Sequence, residues 1–423
     1  MTLAREQMSA ADAAWLQMDA PENRMIITSL MEYEGRIEPA KLELHLQKLA
    51  GSPRFRRRVV LPLTPILLPS WEDDPRFDLH AHIHHVGLPP PGSDEDLQRF
   101  VGERMSTGLS FEKPLWEIDV IDRPGSGTAI LLRVHHCVGD GVALIKLLLS
   151  LAEESVAAPR AVGRAPEPPR GPIAWVGEQL SRAKTFVELL ALPPDPHTFR
   201  TGLGLVKRAA WSAPIRLAAI EELAHREKAT VNDVLMAALA GSLRSALERT
   251  GALPSREVRA LVPLYLRGRA DAGNNFGLVY VTLPVGESTR EGRICALKQR
   301  MAAVKATPTG PVAFEILRAF GVAGAAIERL GVGIFTSKAS IMVTNVPGPK
   351  ARVRIAGQPL QSMMTWAPTS GRLALSATLI SYAGELRIGV AGDAHLAVDP
   401  AELVKGFEQE LAAEAPEAVA AVH

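Results

Sequence analysis

Apolar and polar positions along this chain fall into two stretches of the same kind, strand-like runs alternating with helix-like ones, separated by a proline-rich interval. In the first stretch, residues 3–19 read as a helical segment that ends before the Ala20-Pro21-Glu22-Asn23 turn, and residues 25–33 as a strand. Leu42, His45, Leu46 and Leu49 recur at helical spacing, which predicts a helix over about 39–49. Residues 77–88 read as a strand, 94–109 as a helix, and 116–122 and 128–137 as two further strands. A strongly apolar helix then begins after Gly141; residues 142–151 are apolar nearly all round, the mark of a buried helix.

Residues 157–172 carry Pro159, Pro166, Pro168, Pro169 and Pro172 with no apolar period, so they read as a linker or surface loop. A helix over 175–192 follows and stops at Pro193-Pro194. The alternation then restarts. Residues 215–226 suggest a short strand feeding a helix, and Thr230-Val231-Asn232-Asp233 opens a long helix to about Leu247, with Thr230 or Asn232 as its cap. Strands are predicted at 257–266, 277–285, 339–344, 373–381 and 385–391. The apolar, glycine-containing stretch 310–335 reads first as core, and second as a helix lining an acyl tunnel or resting on a lipid droplet. The division expected is 1–156 and 201–423 as two α/β domains facing each other across a cleft, with 157–200 as linker and crossover helix.

Composition narrows the function classes. A chain of 423 residues with nearly half of them apolar supplies two cores. The net charge of +1 argues against a nucleic-acid partner. Two cysteines, Cys137 and Cys295, give no disulfide framework. The N-terminal residues lack a signal-peptide core, and no run of about 18 uncharged apolar residues predicts a membrane-spanning helix. The expectation is a cytoplasmic protein, with peripheral contact to the inner membrane or lipid droplets left open.

The chemistry concentrates in His135-His136-Cys137-Val138-Gly139-Asp140-Gly141. Side chains alternate along a strand, so His136 shares a face with Ile130, Leu132 and Val134, whereas His135 shares the other with Leu131 and Arg133. One histidine therefore faces a cavity while the other packs inside. A neutral imidazole suits removal of a proton from an alcohol near pH 7. Asp140, between two permissive glycines, can hold the turn by ion pairing. The bland alternative is a buried strand end with satisfied histidines. Zinc is disfavoured, because adjacent strand histidines diverge, and Cys137 reads as packing rather than as a nucleophile. His80, His82 and His84, expected on one face of a strand, form a weaker metal candidate. Arg54, Arg56, Arg57 and Arg58 read as solvated surface or, less simply, as a site for CoA phosphate or anionic headgroups.

The histidine segment resembles the HHxxxDG motif of the CoA-dependent acyltransferase superfamily, which includes chloramphenicol acetyltransferase-like enzymes and peptide-synthetase condensation domains. Other segments resemble one branch, the bacterial wax ester synthase/diacylglycerol acyltransferases. These are Pro114-Leu115-Trp116-Glu117, Asn232-Asp233-Val234-Leu235, Val262-Pro263-Leu264-Tyr265-Leu266-Arg267, Gly273-Asn274 and Thr344-Asn345-Val346-Pro347-Gly348-Pro349. Residues 12–19 with Met25 resemble the family's opening, and Ser381-Tyr382, Gly384 and Asp393 its last strands, so the likeness runs in order from about residue 10 to residue 400.

The resemblance implies two chloramphenicol acetyltransferase-like domains, each a mixed sheet with helices, facing across a central channel. It implies transfer of a long-chain acyl group from acyl-CoA to a fatty alcohol or diacylglycerol, with acyl-CoA as co-substrate, no cofactor and no metal. His136 would be the general base, His135 and Asp140 supporting residues, and Gly141 the turn into the helix. Arg267 becomes the candidate ion-pair partner of Asp140, Asn274 a candidate donor to the oxyanion, and Asp19 a candidate on the acceptor side. Departures stand beside these likenesses: Asp19 occupies a position often held by glutamate, Ile26 one usually held by histidine, and Tyr265 one held by a small serine. They keep open acylation of another hydroxyl or an amine, and a catalytically silent lipid-binding relative.

Overall fold

The computed structural model describes residues 5–64, 67–125, 127–153, 172–195, 199, 203–251, 258–265, 276–307, 309–323, 325–413 and 418. The first part runs β1 (Arg5–Gln7), α1 (Ala10–Gln17), β2 (Ile26–Tyr33), α2 (Pro39–Ala50), the single turn α3 (Pro53–Arg56), β3 (Arg57–Val60) and β4 (Ser70–Asp73). A 3-10 turn (Leu79–His82) leads into β5 (Ile83–Gly87), followed by α4 (Asp94–Met105), β6 (Trp116–Arg123), β7 (Gly127–His135), α5 (Gly141–Leu151) and α6 (Pro172–Ala191). Then come β8 (Lys207–Trp211), β9 (Ile215–Arg216), α7 (Leu217–Arg226), α8 (Val231–Arg249), β10 (Val258–Tyr265), β11 (Phe276–Leu283) and α9 (Arg290–Ala306). The chain closes with α10 (Thr309–Ala323), α11 (Ala325–Thr336), β12 (Ile341–Pro347), β13 (Arg354–Ile355), β14 (Gln358–Trp366), β15 (Leu375–Tyr382), β16 (Glu385–Asp393) and α12 (Pro400–Ala412).

Two large mixed sheets form, as expected. The first has the order β13-β14-β2-β7-β6-β5, with β5 and β6 parallel. The second has the order β11-β10-β12-β15-β16-β8, with β9 on β16 and parallel pairing at β10–β12 and β12–β15. A small sheet, β1-β4-β3, lies apart. Each large sheet has its own core, one around Trp71, Trp116 and Tyr33, the other around Leu239, Ile388 and Phe407.

The second half of the sequence does not keep to its own sheet. β14 pairs antiparallel with β2, from Leu360 opposite Tyr33 to Trp366 opposite Thr28, so residues 354–366 complete the sheet of the first half. The partition into 1–156 and 201–423 is corrected to that extent. The physical cause is an otherwise open edge on β2, which β14 covers while burying Met363, Met364 and Trp366. Trp366 then meets Trp211 of the second sheet edge-on, with ring centroids 5.5 Å apart. Asn23 adds a latch, donating to Gly371 O and Leu373 O at 3.1 and 3.3 Å and accepting from Thr369 Oγ1.

Local departures have local causes. The predicted helix over 3–19 begins only at Ala10, where Ser9 caps it by accepting from Asp12 N, and β1 precedes it. The strand expected over 77–88 opens as a 3-10 turn, because the Asp78 carboxylate accepts from His80 N. Thr230 caps α8 in a capping box with Asp233. Pairing of the long β14 arm and the helices α9 and α12 lay outside the sequence expectations.

Candidate active site

β7 carries the histidines to the junction of the two sheets. The strand ends at His135, and His136 is the first residue beyond it, yet its N–H continues the ladder by donating to Met25 O at 2.7 Å. Val138 N then bonds back to His135 O, and Asp140 O accepts from Leu144 N as α5 opens at Gly141. The turn places His136 and Asp140 together on the wall of one cleft, whose empty volume, open mouth included, is about 810 Å³. Phe276, Leu278, Met342, Thr344 and Thr378 face them from the second sheet.

The imidazole of His136 is held by aromatic rings. Trp15 of α1 stacks on it, with centroids 4.0 Å apart and planes 17° from parallel, and Phe276 approaches at 5.8 Å. Both Trp15 and His136 are buried, so the ring sits in an apolar slot with one side toward the cleft.

His135 turns inward. Its Nδ1 accepts from Cys137 N at 3.2 Å, so in the neutral ring the proton is on Nε2, which lies 3.7 Å from Asp19 Oδ1. Asp19 also accepts from Met25 N at 2.7 Å and pairs with Arg24 at 3.1 Å. Burial pushes its carboxyl up, but His135, Met25 N–H and Arg24 together outweigh that and hold it below the usual carboxylate range. Asp19 is not among the residues that line the cleft with His136. Its carboxylate is spent behind the histidine pair and fixes the backbone at Met25, to which His136 is bonded.

Arg267 and Asn274 lie outside the described residues, as do Leu266 and Gly273. Two hydroxyls that sequence reasoning passed over face the cleft instead. Thr344 on β12 and Thr378 on β15 are direct partners in the parallel ladder and both line the cleft. Thr344 Oγ1, Thr378 Oγ1 and Trp15 Nε1 are buried without a hydrogen-bond partner. The Thr344 and Thr378 hydroxyls, facing the cleft, can donate to a group bound there. Thr344 had a signal, since it opens the Thr-Asn-Val-Pro-Gly-Pro segment, and Trp15 lies within the recognised opening. Thr378 had none. The adjacent Asn345 donates to Asn232 Oδ1 at 3.2 Å, tying that segment to the start of α8.

Other candidates resolve differently. Burial raises the Cys137 thiol well above its ordinary range, which removes the nucleophile. His82 is buried, hydrogen-bonded through Nδ1 to Trp116 O at 2.7 Å and stacked on Trp116, while His80 is exposed beside Asp78 and Glu43 and His84 stands near Glu117. The shared strand face expected for them does not exist, because the 3-10 turn breaks the alternation. Among the described residues no group of histidine, cysteine and carboxylate side chains is arranged to hold a metal. The arginine run is paired: Arg54 with Asp12 and over Trp71, Arg57 with Asp73 and Glu6, Arg58 with Glu72, and Arg56 over Phe77. Arg133, fully buried behind His135, bonds Glu117 and Thr107 O; burial lowers it to about 10.

Two mixed sheets meeting at a buried histidine beside an Asp-Gly helix start define an acyltransferase of the HHxxxDG kind. Residues 8–193 match the wax ester synthase/diacylglycerol acyltransferase catalytic domain and 272–413 the C-terminal domain of the same family, and the chain belongs to that family. It is 27% identical over 439 residues to the probable diacylglycerol O-acyltransferase tgs1 of Mycobacterium tuberculosis, covering 96% of this chain and 95% of that one. A putative diacylglycerol O-acyltransferase of Mycobacterium bovis is likewise 27% identical over the same shares. Among solved structures, the wax ester synthase/diacylglycerol acyltransferase of Marinobacter aquaeolei VT8 superposes with a TM-score of 0.72 at 23% identity, covering 98% of this chain and 100% of that chain. The first condensation domain of the calcium-dependent antibiotic synthetase, bound to a substrate analogue, shares the fold at TM-score 0.65 and 18% identity, covering 99% of this chain and 98% of that one.

Proposed function

We propose that this acyltransferase moves a long-chain acyl group from acyl-CoA to the hydroxyl of a fatty alcohol or diacylglycerol, with His136 as general base. The observation that carries this is His136 itself: one histidine of the pair is consumed inside the first sheet, and the other stands on the wall of the cleft where the two sheets meet. The imidazole takes the proton of the acceptor hydroxyl, and the oxygen attacks the thioester carbonyl carbon. The resulting oxyanion accepts hydrogen bonds from the hydroxyls of Thr344 and Thr378, whose protons have no other acceptor. The C–S bond then breaks, and the imidazolium returns its proton to the CoA thiolate. No acyl-enzyme forms. Acyl-CoA is a co-substrate, and the chemistry draws on no resident cofactor. Asn274 remains a further candidate donor to the oxyanion, and Arg267 the candidate partner of Asp140.

The same chain docks peripherally on lipid. None of the described helices is long and apolar enough to cross a membrane. Yet Ile327, Leu330 and Ile334 are exposed at helical spacing along α11, and Leu180, Val187 and Leu190 along α6. The two helices end side by side, where Lys338 Nζ donates to Leu189 O and Leu190 O. Flotation with vesicles of phosphatidylglycerol and dioleoylglycerol tests this surface. Combined replacement of Ile327, Leu330 and Ile334 by serine is expected to leave the protein in the unbound fraction; unchanged flotation contradicts it.

The acceptor is settled by incubating the protein with palmitoyl-CoA and, separately, hexadecanol, dioleoylglycerol and hexadecylamine, while free thiol is followed. Thiol release is expected with either alcohol. Release only with the amine contradicts the hydroxyl acceptor, and no release with any acceptor points to a silent relative.

A further inference from the structure

The residues that line the cleft include none from the small sheet β1-β4-β3, yet α1 grows directly out of that sheet. β1 pairs with β4, Met8 N donates to Pro69 O at 2.9 Å, and Ser9 then caps the helix. The first turns of α1 offer little to fix its rotation, since Ala10, Ala11, Ala13 and Ala14 surround a single charge, Asp12. Small apolar surfaces pack closely but define a unique arrangement poorly. Asp12, only 1% exposed, forms an ion pair with Arg54 of α3 at 3.4 Å. The Arg54 guanidinium in turn lies 4.6 Å over the ring of Trp71 in β4, which is fully buried. An acid in a first turn already favours the helix dipole, but that alone calls for no partner from another element.

Spacing along the helix carries this contact to the site. Asp12 and Trp15 are three apart and share a helix face, and Asp19 follows just beyond the helix end. These three meet the histidine motif in reverse order. Asp19 Oδ1 stands 3.7 Å from His135 Nε2, and Trp15 stacks on His136. The Cys137 thiol is raised by burial first and by the Asp12 carboxylate second, while Arg54 acts the other way, so the ion pair lies beside the third residue of the motif. α10 leaves the helix no room to retreat: an added Cβ at Gly321 would stand 1.8 Å from Ala10 O, and Gln17 Nε2 donates to Gly321 O.

We propose that Asp12 and Arg54 are positioning residues for acyl transfer: their ion pair, backed by Trp71, sets the rotation of α1 and so the plane in which Trp15 holds His136. A buried ion pair adds little net stability over an apolar pair, and its use is to specify one arrangement among several. The arrangement specified here is that of a ring 4.0 Å from the proposed base. The small sheet thereby acts on the reaction without touching substrate. The inference rests on the acyl-transfer reading only for the task of His136.

The test is a double-mutant cycle on kcat for thiol release from palmitoyl-CoA with hexadecanol. Asp12→Asn and Arg54→Met are each expected to lower kcat about tenfold, with KM for either substrate changed by less than about threefold, because a small misplacement of a reacting group costs rate rather than binding. Arg54→Lys keeps the charge between Asp12 and Trp71 and is expected to keep most of the rate. In a Trp15→Leu background Asp12→Asn is expected to cost no more than about a further twofold, since both changes act through one contact. Equal losses from Asp12→Asn in the two backgrounds, or native kcat in Asp12→Asn, overturn the proposal. If Arg54→Met leaves the Asp12 carboxylate buried and does not fold, Asp12→Asn decides alone. Near-ultraviolet circular dichroism reads the stack without turnover. The band contributed by Trp15, taken as the difference between a protein and its Trp15→Phe variant, is expected to lose most of its intensity when both carry Asp12→Asn; an unchanged band overturns the proposal. Native turnover in His136→Ala sinks the acyl-transfer reading instead, and leaves the dichroism to decide whether the ion pair places the ring.

Discussion

Trp15 lies flat against His136, ring over ring at 4.0 Å, so the proposed base is held by a residue from the first helix of the chain. The stack does two things. It holds the imidazole plane beyond the strand end. It also offers the π face of an indole to the imidazolium that forms during transfer, an attraction of about 0.5–1 kcal/mol. Trp15→Leu is expected to lower kcat about tenfold with a smaller change in KM. Trp15→Phe restores most of the rate. Equal losses in both variants would show that the ring merely fills space.

Thr344 and Thr378 sit opposite one another on neighbouring strands with their hydroxyls unspent. Valine keeps their shape and removes the donor. Thr378→Val is expected to reduce kcat by about 10²-fold with little effect on KM, the pattern for a bond made only in the transition state. Thr344→Val should be additive with it only in part, since both serve one oxygen. A Thr378→Val enzyme with wild-type kcat assigns the oxyanion elsewhere.

Glu328 is fully buried on α11 and neither carboxylate oxygen has a hydrogen-bond partner. Burial raises its pKa to about 8. The folded chain therefore keeps a proton that the unfolded chain loses near pH 4.5, so this group's contribution is complete below about pH 4.5 and is lost as pH rises toward 8. Glu328→Gln should flatten that decline and raise Tm by about 2 °C or more at pH 8 relative to the native chain, with little change at pH 5. Parallel Tm–pH curves for the two proteins contradict this.

Much of the site was legible because its chemistry is local in sequence. The alternation of β7 put the two histidines on opposite faces, the resemblance singled out His136, and His136, just past the strand, lines the cleft while His135 bonds inward. What escaped is non-local. Nothing in residues 358–366 announces that they pair with β2, because a strand buried on both faces shows no alternation and its partner lies more than three hundred residues away. Thr378 escaped for the same reason: its meaning comes from standing beside Thr344 in a parallel ladder and not from its neighbours in the chain. Asp19 was found by resemblance, but its contacts to His135 and to the backbone of Met25 were not legible, since sequence cannot say which face of a turn a carboxylate serves. Its bond to Met25 N, just before the strand that carries Ile27 into the cleft, shows how a buried acid positions a site without lining it.

In the proposed mechanism, acyl transfer depends on the proton taken by His136. The direct measurement is acceptor-dependent release of CoA from palmitoyl-CoA by the purified His136→Ala protein, with its Tm recorded beside that of the native chain. A general base typically supplies 10²–10⁴-fold, so release is expected to fall by about three orders of magnitude at unchanged folding. Release within about threefold of the native rate, in a protein that melts normally, contradicts it.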